Sequence, residues 1–562
     1  MDKVNIQQSL TRGTSLKKMV LDAHPIIHHF IKLLKIPDIL GSYTRSDKRR
    51  TVDTERVLPL VIHNYLTQPY PLYEFQDWLR PLDVDGLGLT AQERDSIQDD
   101  RIGKALEDFY AGRHKEVFFR LALRAIKVFA LDCRRVHQDT TSITFSGKYP
   151  GWSAQEILSF GKNKDHRPDL KQLVLGMTVT ADGAVPLTHQ IYDGNQTDDR
   201  LHLENHRRLQ RILGRTDFIY VADCKLATNE NLEKITHWGG QFVSVMPRTW
   251  KEDEVFRDKV REGSIQWQHI LSRPNNRKPD SKIDRYYRAP GNYRTSKGHL
   301  LHWIRSAQKA EQDRETRTRR VQKALNALSE QQTKLNKYNL KTRKQIEARI
   351  RSILREHLCT EFIAVEIHGH REYKKLRLKR GRPRADDPRR VTWKQTFSIT
   401  FEVQAEAVSL EQRTDGVFPL ITNLEPKKYS AKRVLEIYKF QPFLEKRHTQ
   451  LKTYQEIAPV NLKKSERVVA YLHMQVMALM VATLIERKLR KAMHENSLRS
   501  LPLYPEGRKC PSPTMFDIVR VFRGVEHYEV YEGDDIKVFP AQLNRTQKQV
   551  LKLLDVPLSA YQ

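Results

Sequence analysis

The chain has 562 residues, 39% hydrophobic and 30% charged, a length for more than one core and a composition of folded rather than disordered protein. Its 98 Lys and Arg against 68 Asp and Glu leave a formal net charge of +30, which argues against a generic small-molecule enzyme and for a polyanionic partner, most often nucleic acid. Cys133, Cys224, Cys359 and Cys510 stand far apart with no CxxC pair; this excludes zinc ribbons and thioredoxin chemistry and predicts small buried thiols.

The opening MDKVNIQQSLTRGTSLKK has no apolar run of signal-peptide type, so the chain reads as intracellular. Residues 1–128 read as a helical domain. HPIIHHFIKLLKIPDIL, ERVLPLVIHNYLTQPY and KEVFFRLALRAIKVF repeat apolar residues at helical spacing. This basic segment either binds DNA or serves as a helical scaffold.

From 129 to 247 the pattern turns to strands. RRVHQDTTSITFSG alternates polar and apolar residues, and KQLVLGMTVTADG and AVPLTHQIYDG extend it into an antiparallel meander through an Ala-Asp-Gly turn. RLHLENHRRLQRIL (helix), DFIYVADC (strand), TNENLEKITHWGG (helix) and QFVSVMP (strand) follow. A meander feeding strand–helix–strand crossovers is the order of the ribonuclease-H-like fold, a mixed α/β sheet.

Residues 248–415 read as a basic insertion. Ile304–Leu358 is a polar, helix-favouring stretch of about fifty residues without Gly or Pro, expected either as a helical hairpin along phosphates or as a solvated helix. Two strands, CTEFIAVEIHGH and KQTFSITFEVQ, flank REYKKLRLKRGRPRADDPRR, which holds ten basic and three acidic residues. The core resumes over 416–500 with the strand GVFPLITN and the helical SAKRVLEIYKFQPFLEKRHTQLKTY, read as helix despite Pro442. The apolar stretch Val468–Ile485 is expected as a buried helix rather than a membrane span. The tail, 501–562, suggests no function.

Three acids fall where metal chemistry would need them: Asp139 on the first strand, Asp223 at the end of the fourth, Glu445 on the late helix. Carboxylates converging at a sheet rim suit two Mg²⁺ ions (or Mn²⁺) that support in-line phosphoryl transfer. Asp193, Asp198 and Asp199 compete for this role and read instead as a turn and a helix cap.

HQDTTS (137–142), GKNKDHRPDLKQ (161–172), YVADC (220–224), DGVFPLITN (415–423) and YKFQPFLEKRHTQLK (438–452) together resemble bacterial insertion-sequence transposases of the DDE class, in the group whose catalytic domain is split by a large insertion. The group's helix signature is Tyr, two residues, Arg, three, Glu, six, Lys. Tyr438, Glu445 and Lys452 fit it, and Gln441 stands where Arg is expected. The resemblance implies that Asp139, Asp223 and Glu445 hold the metal ions and that Tyr438 and Lys452 hold DNA phosphates. At Gln441 the contact would be weaker, because its amide carries no charge. It further implies Mg²⁺-dependent hydrolysis at transposon ends and joining of the freed 3′-hydroxyls to target DNA. The implied partners are the terminal inverted repeats and target DNA, engaged by a dimer or higher multimer on paired ends, with no membrane and a cytoplasmic, nucleoid-associated location. A nuclease of the same fold that does not join ends, and a catalytically inactive DNA-binding protein, are the alternatives.

Arg380-Gly381-Arg382-Pro383 matches the core of an AT-hook, whose arginines enter A·T minor grooves; a basic loop without groove specificity reads the same way. Lys164 and Arg167, on the loop before the second strand, are DNA-contact candidates or part of a plain solvated turn.

Overall fold

The computed structural model describes residues 14–44, 47, 49–145, 158–161, 169–195, 201–274, 283–377, 389–454, 462, 464–532 and 535–562. They form a mixed α/β structure in two units: Met1–Ser244 with Glu436–Gln562, and Val245–Leu435.

The first unit begins with β1 (Thr14–Val20), then α1 (His24–Leu34), α2 (Ile36–Gly41), α3 (Thr54–Thr67), α4 (Phe75–Leu79), α5 (Ala91–Ser96), α6 (Asp99–Ala111) and α7 (His114–Phe129). In α1 a proline sits in the first turn and Ile26, Ile27, Phe30, Ile31 and Leu34 are buried. The helix stops at Lys35, whose left-handed backbone (φ 54°) turns its N–H back onto the last carbonyls.

Next come β2 (Arg135–Phe145), β3 (Lys171–Thr180), β4 (Pro186–Asp193), α8 (Leu201–Leu213), β5 (Ile219–Val221), α9 (Asn229–His237) and β6 (Gln241–Val245). They hydrogen-bond in the order β4-β3-β2-β5-β6. β2, β3 and β4 are antiparallel neighbours, whereas β5 runs parallel to β2 and to β6. β3 is buried on both faces past its first residue, which explains its near-continuous apolar run. The β3–β4 turn carries Gly183 at φ +85°, a conformation that favours glycine.

The second unit contains α10 (Lys251–Arg261), β7 (Gln268–Pro274), β8 (Ile283–Arg288), β9 (Tyr293–Arg294), β10 (Leu300–Ser306), α11 (Ala307–Lys334), α12 (Arg343–Glu356), β11 (Ile363–Arg377), β12 (Arg389–Val403), α13 (Ala405–Gln412) and β13 (Val417–Thr422). β13, β10, β8 and β7 are successive antiparallel neighbours. β11 and β12 form a separate two-stranded ribbon. The polar stretch, expected as a helical hairpin or a solvated helix, forms two helices, α11 and α12. Asn336 and Tyr338 take positive φ between them, and Thr342 with Gln345 makes a capping box that starts α12. The two helices are not merely solvated, since Ala324, Leu328, Ile346, Ile350 and Ile353 pack with Phe397 of β12 into one apolar cluster.

α14 (Ala431–Tyr438) leads back into the first unit, followed by α15 (Gln441–Thr449), α16 (Ser465–Glu495), α17 (Met515–Phe522), β14 (Glu526–Glu532), β15 (Asp535–Phe539) and α18 (Arg545–Leu554). The helix expected through Pro442 is two helices. Proline lacks the N–H that a helix interior requires, and Pro442 sits in the opening turn of α15. α16 is long and apolar enough to cross a membrane, and 94% of its most apolar window is buried within the protein; it is the central core helix of this unit. β1 pairs with β14 along its whole length, and β15 completes a three-stranded sheet.

Candidate active site

Parallel pairing of β2 with β5 matches Arg135 to Ile219, Val136 to Tyr220 and His137 to Val221, an offset of 84 residues. Asp139 and Asp223 are separated by the same 84 residues. They stand at one level, two residues past the last matched pair. Alternation puts Asp139 on the face of His137, and Asp223 follows Val221 just past the end of the neighbouring strand, about 4.8 Å away. The Asp139 carboxylate accepts the Thr140 N–H at 2.8 Å. Asp223 begins the turn that ends β5, and its carboxylate accepts the Lys225 N–H at 3.0 Å while its carbonyl accepts the Ser244 hydroxyl at 2.6 Å.

α15 lies against that face of β2. The buried Gln441 amide donates to the Gln138 carbonyl at 2.9 Å, and its oxygen accepts from His137 Nδ1 at 3.1 Å. Burial pushes the His137 imidazole down to about 4, so the ring is neutral near pH 7. One turn further on, Glu445 is exposed, and two turns on, His448 Nδ1 lies 3.7 Å from Asp139 Oδ2. Residues 441, 445 and 448 share one helix face, so the contacts of Gln441 and His448 turn the Glu445 side of α15 toward the stretch of β2 that carries Asp139.

The other side of α15 is held as firmly. Arg447 donates to the Glu486 carboxylate of α16 at 2.7 Å, to the Gly183 carbonyl at 2.9 Å and to the Gln450 side chain at 2.9 Å. Glu486 also accepts the Met515 N–H at 3.0 Å.

Tyr438, at the end of α14, registers all three acids. Burial raises its phenol first, and then the charges of Asp223, Cys224, Glu445 and Asp139 raise it further. It stays a protonated donor at neutral pH. Lys452 lies on a single wide turn, Gln450–Tyr454, that follows α15.

Among the described residues, no three His, Cys, Asp or Glu side chains form a ready-made metal-ligand cluster. The chemistry of Asp139, Asp223 and Glu445 nevertheless fits a hard divalent cation, since all three are oxygen donors. Gln441, expected to face DNA, is turned into the protein and positions α15. Cys224, expected buried, is exposed, because it lies in the turn that ends β5; Cys359 and Cys510 are buried. Lys164, Arg167, Arg380 and Arg382, like Asp198 and Asp199, lie outside the described residues. His448 and the Arg447–Glu486 pair were missed in sequence. The i,i+3 and i,i+7 spacings from Glu445 and Gln441 would have marked His448 as sharing their face.

Residues 16–123 match a domain of unknown function, DUF4277. No curated protein matches the sequence. Among solved structures, the chain is similar to a piggyBac transposase synaptic complex with hairpin DNA seen by cryo-EM, at 8% identity over 89% of this chain and 79% of that one. The TM-score is 0.39, too low a likeness to carry an argument.

Proposed function

We propose that the chain is a DDE-class DNA transposase of the insertion-sequence type, with a ribonuclease-H-like core that cuts transposon ends and joins them to target DNA. The observation that carries this reading is the equal register of Asp139 and Asp223, with the helix bearing Glu445 fastened across the same strand face. The strand order β4-β3-β2-β5-β6, the surplus of positive charge and the motif resemblance support it as well.

Asp139, Asp223 and Glu445 would hold two Mg²⁺ (or Mn²⁺) ions. When bound, these supply Lewis-acid stabilisation of the attacking and leaving oxygens of a phosphodiester. The chain's own residues do the rest. Gln441 and Arg447 fix the pose of α15 and so the reach of Glu445. His448 sits against Asp139 and orients it. Tyr438 offers a protonated hydroxyl beside the three acids, suited to donating to a phosphate oxygen, and Lys452 adds a cation on the following turn.

The test is cleavage and strand transfer on labelled duplexes carrying the repeats that flank the gene, with Mg²⁺ or with EDTA. Wild type is expected to cut and join, and Asp139→Asn, Asp223→Asn and Glu445→Gln to bind the ends without cutting. Cutting without joining would make the chain a nuclease, and end binding without cutting would make it an inactive DNA-binding protein.

A further inference from the structure

The ribbon of β11 and β12 changes character along its length. Each strand is fifteen residues long and the two pair in unbroken register, from Ile363 opposite Val403 to Arg377 opposite Arg389. On the face that carries Ile363, Val365 and Ile367, the near half packs with Phe397 and Ile399 against α11 and α12. Beyond Gly369 the same face leaves that support. It presents Arg371 opposite Gln395, Tyr373 opposite Trp393 and Lys375 opposite Val391, with Arg389 at the end.

These side chains are exposed, Tyr373 by 63% and Trp393 by 68%, and the two rings meet edge to face at 5.9 Å. Large apolar side chains this exposed, among cations, mark a contact surface. The ribbon's acids, Glu366, Glu372 and Glu402, all fall on the opposite face by alternation. The exposed aromatic face is therefore cationic without a compensating carboxylate, and this charge complementarity selects a polyanion.

A two-stranded ribbon fits the DNA major groove, which is about 12 Å wide. Arg and Gln are the side chains that reach two atoms at once on guanine and adenine edges there, and an aromatic ring packs on the thymine methyl. We propose that the far half of this ribbon enters the major groove of duplex DNA and reads sequence, with Arg371 and Gln395 contacting bases and Lys375 and Arg389 contacting phosphates. This rests on the DNA partner of the proposed function and names the element that selects the ends.

The experiment is selection by the full chain from a pool of randomised duplexes, followed by binding titrations at several salt concentrations. The variants are Arg371→Ala, Gln395→Ala, Lys375→Ala and Arg389→Ala, all at exposed positions where folding is expected to survive, as checked by thermal melting. Wild type is expected to select a motif. Arg371→Ala and Gln395→Ala should each relax preference at one base pair, with a loss of about tenfold in discrimination. Lys375→Ala and Arg389→Ala should keep the motif, weaken binding to every sequence, and lower the salt slope by about 1 each. An unchanged motif in both base-reading variants would overturn the inference, as would unchanged affinity and salt slope in both phosphate-contact variants. If the motif is read as expected but the wild type cuts nothing, the ribbon assignment stands and the transposase reading falls.

Discussion

Arg447 and Glu486 meet at 2.7 Å with side chains only 9% and 1% exposed, so a buried ion pair joins the helix of Glu445 to the core helix α16. Removing the Arg447 guanidinium leaves the buried Glu486 carboxylate with only the longer Arg490 contact at 3.4 Å and the Met515 N–H. Arg447→Met should cost about 1.5–3 kcal/mol, whereas Arg447→Met with Glu486→Gln should recover part of it. Chemical denaturation of both variants checks this. The single variant should also lose cleavage more steeply than end binding, since it is the pose of Glu445 that is released.

Gln441 stands where the helix signature that the sequence resembles has arginine, yet its amide bridges a backbone carbonyl and a neutral imidazole. Gln441→Ala should cost about 1–3 kcal/mol by leaving the Gln138 carbonyl and His137 Nδ1 unsatisfied. Gln441→Arg, which restores the signature, should destabilise as well, because a cation would replace the amide beside an imidazole that burial already keeps neutral. Thermal melts of the two variants, read beside cleavage rates, decide the point. A Gln441→Arg protein that gained stability would show that this side chain can turn outward to DNA.

The strand order around Asp139 was legible because each strand announces itself locally: alternation in RRVHQDTTSITFSG, a two-sided apolar run in KQLVLGMTVT, short crossovers after β4 and β5. The positions of two of the carboxylates follow the same logic, Asp139 on a strand and Asp223 just past a strand's end, while their role belongs to the proposal. What was not legible depends on distant partners. TSLKKMV folds as β1 rather than helix because it pairs with residues 526–532, more than five hundred positions away. β7, β8 and β10 are likewise defined by mutual pairing more than by pattern. Pro442 was read as tolerated inside a helix when it marks the start of a new one, and Arg447 looks like an ordinary surface cation until Glu486 is brought beneath it.

A cation held by the folded protein should stabilise it without any DNA present. Mg²⁺ at a hundred times its dissociation constant adds about 2.7 kcal/mol when it binds only the native state. Wild type should melt at higher temperature in Mg²⁺ than in EDTA. Asp139→Asn and Asp223→Asn should show little or no such shift, while Lys375→Ala, far from these acids in the chain, should keep it. An equal Mg²⁺ shift in all of these proteins would place the binding elsewhere.

The first unit is also built to be acid-sensitive. Burial pushes His24, His189 and His202 down to about 3 and His206 to about 4, and it is the first cause in each case. His473, in contact with His189, is held well below the usual range by burial first and then by the charges of His189, His114, Lys115 and Arg208. The sign follows from linkage. Above about pH 6.5 these imidazoles are neutral both folded and unfolded and add no pH dependence. As pH falls from about 6.5 toward 4, the unfolded chain takes up protons that the folded chain refuses, so stability falls steadily. Urea midpoints at pH 7.5, 6.5, 5.5 and 4.5 should be nearly level between the first two and then drop. His202→Gln and His24→Gln, each removing one refused proton, should flatten the slope below pH 6 even if they lower stability at pH 7.5. A midpoint that held level down to pH 4.5 would mean that water reaches these rings in the folded protein.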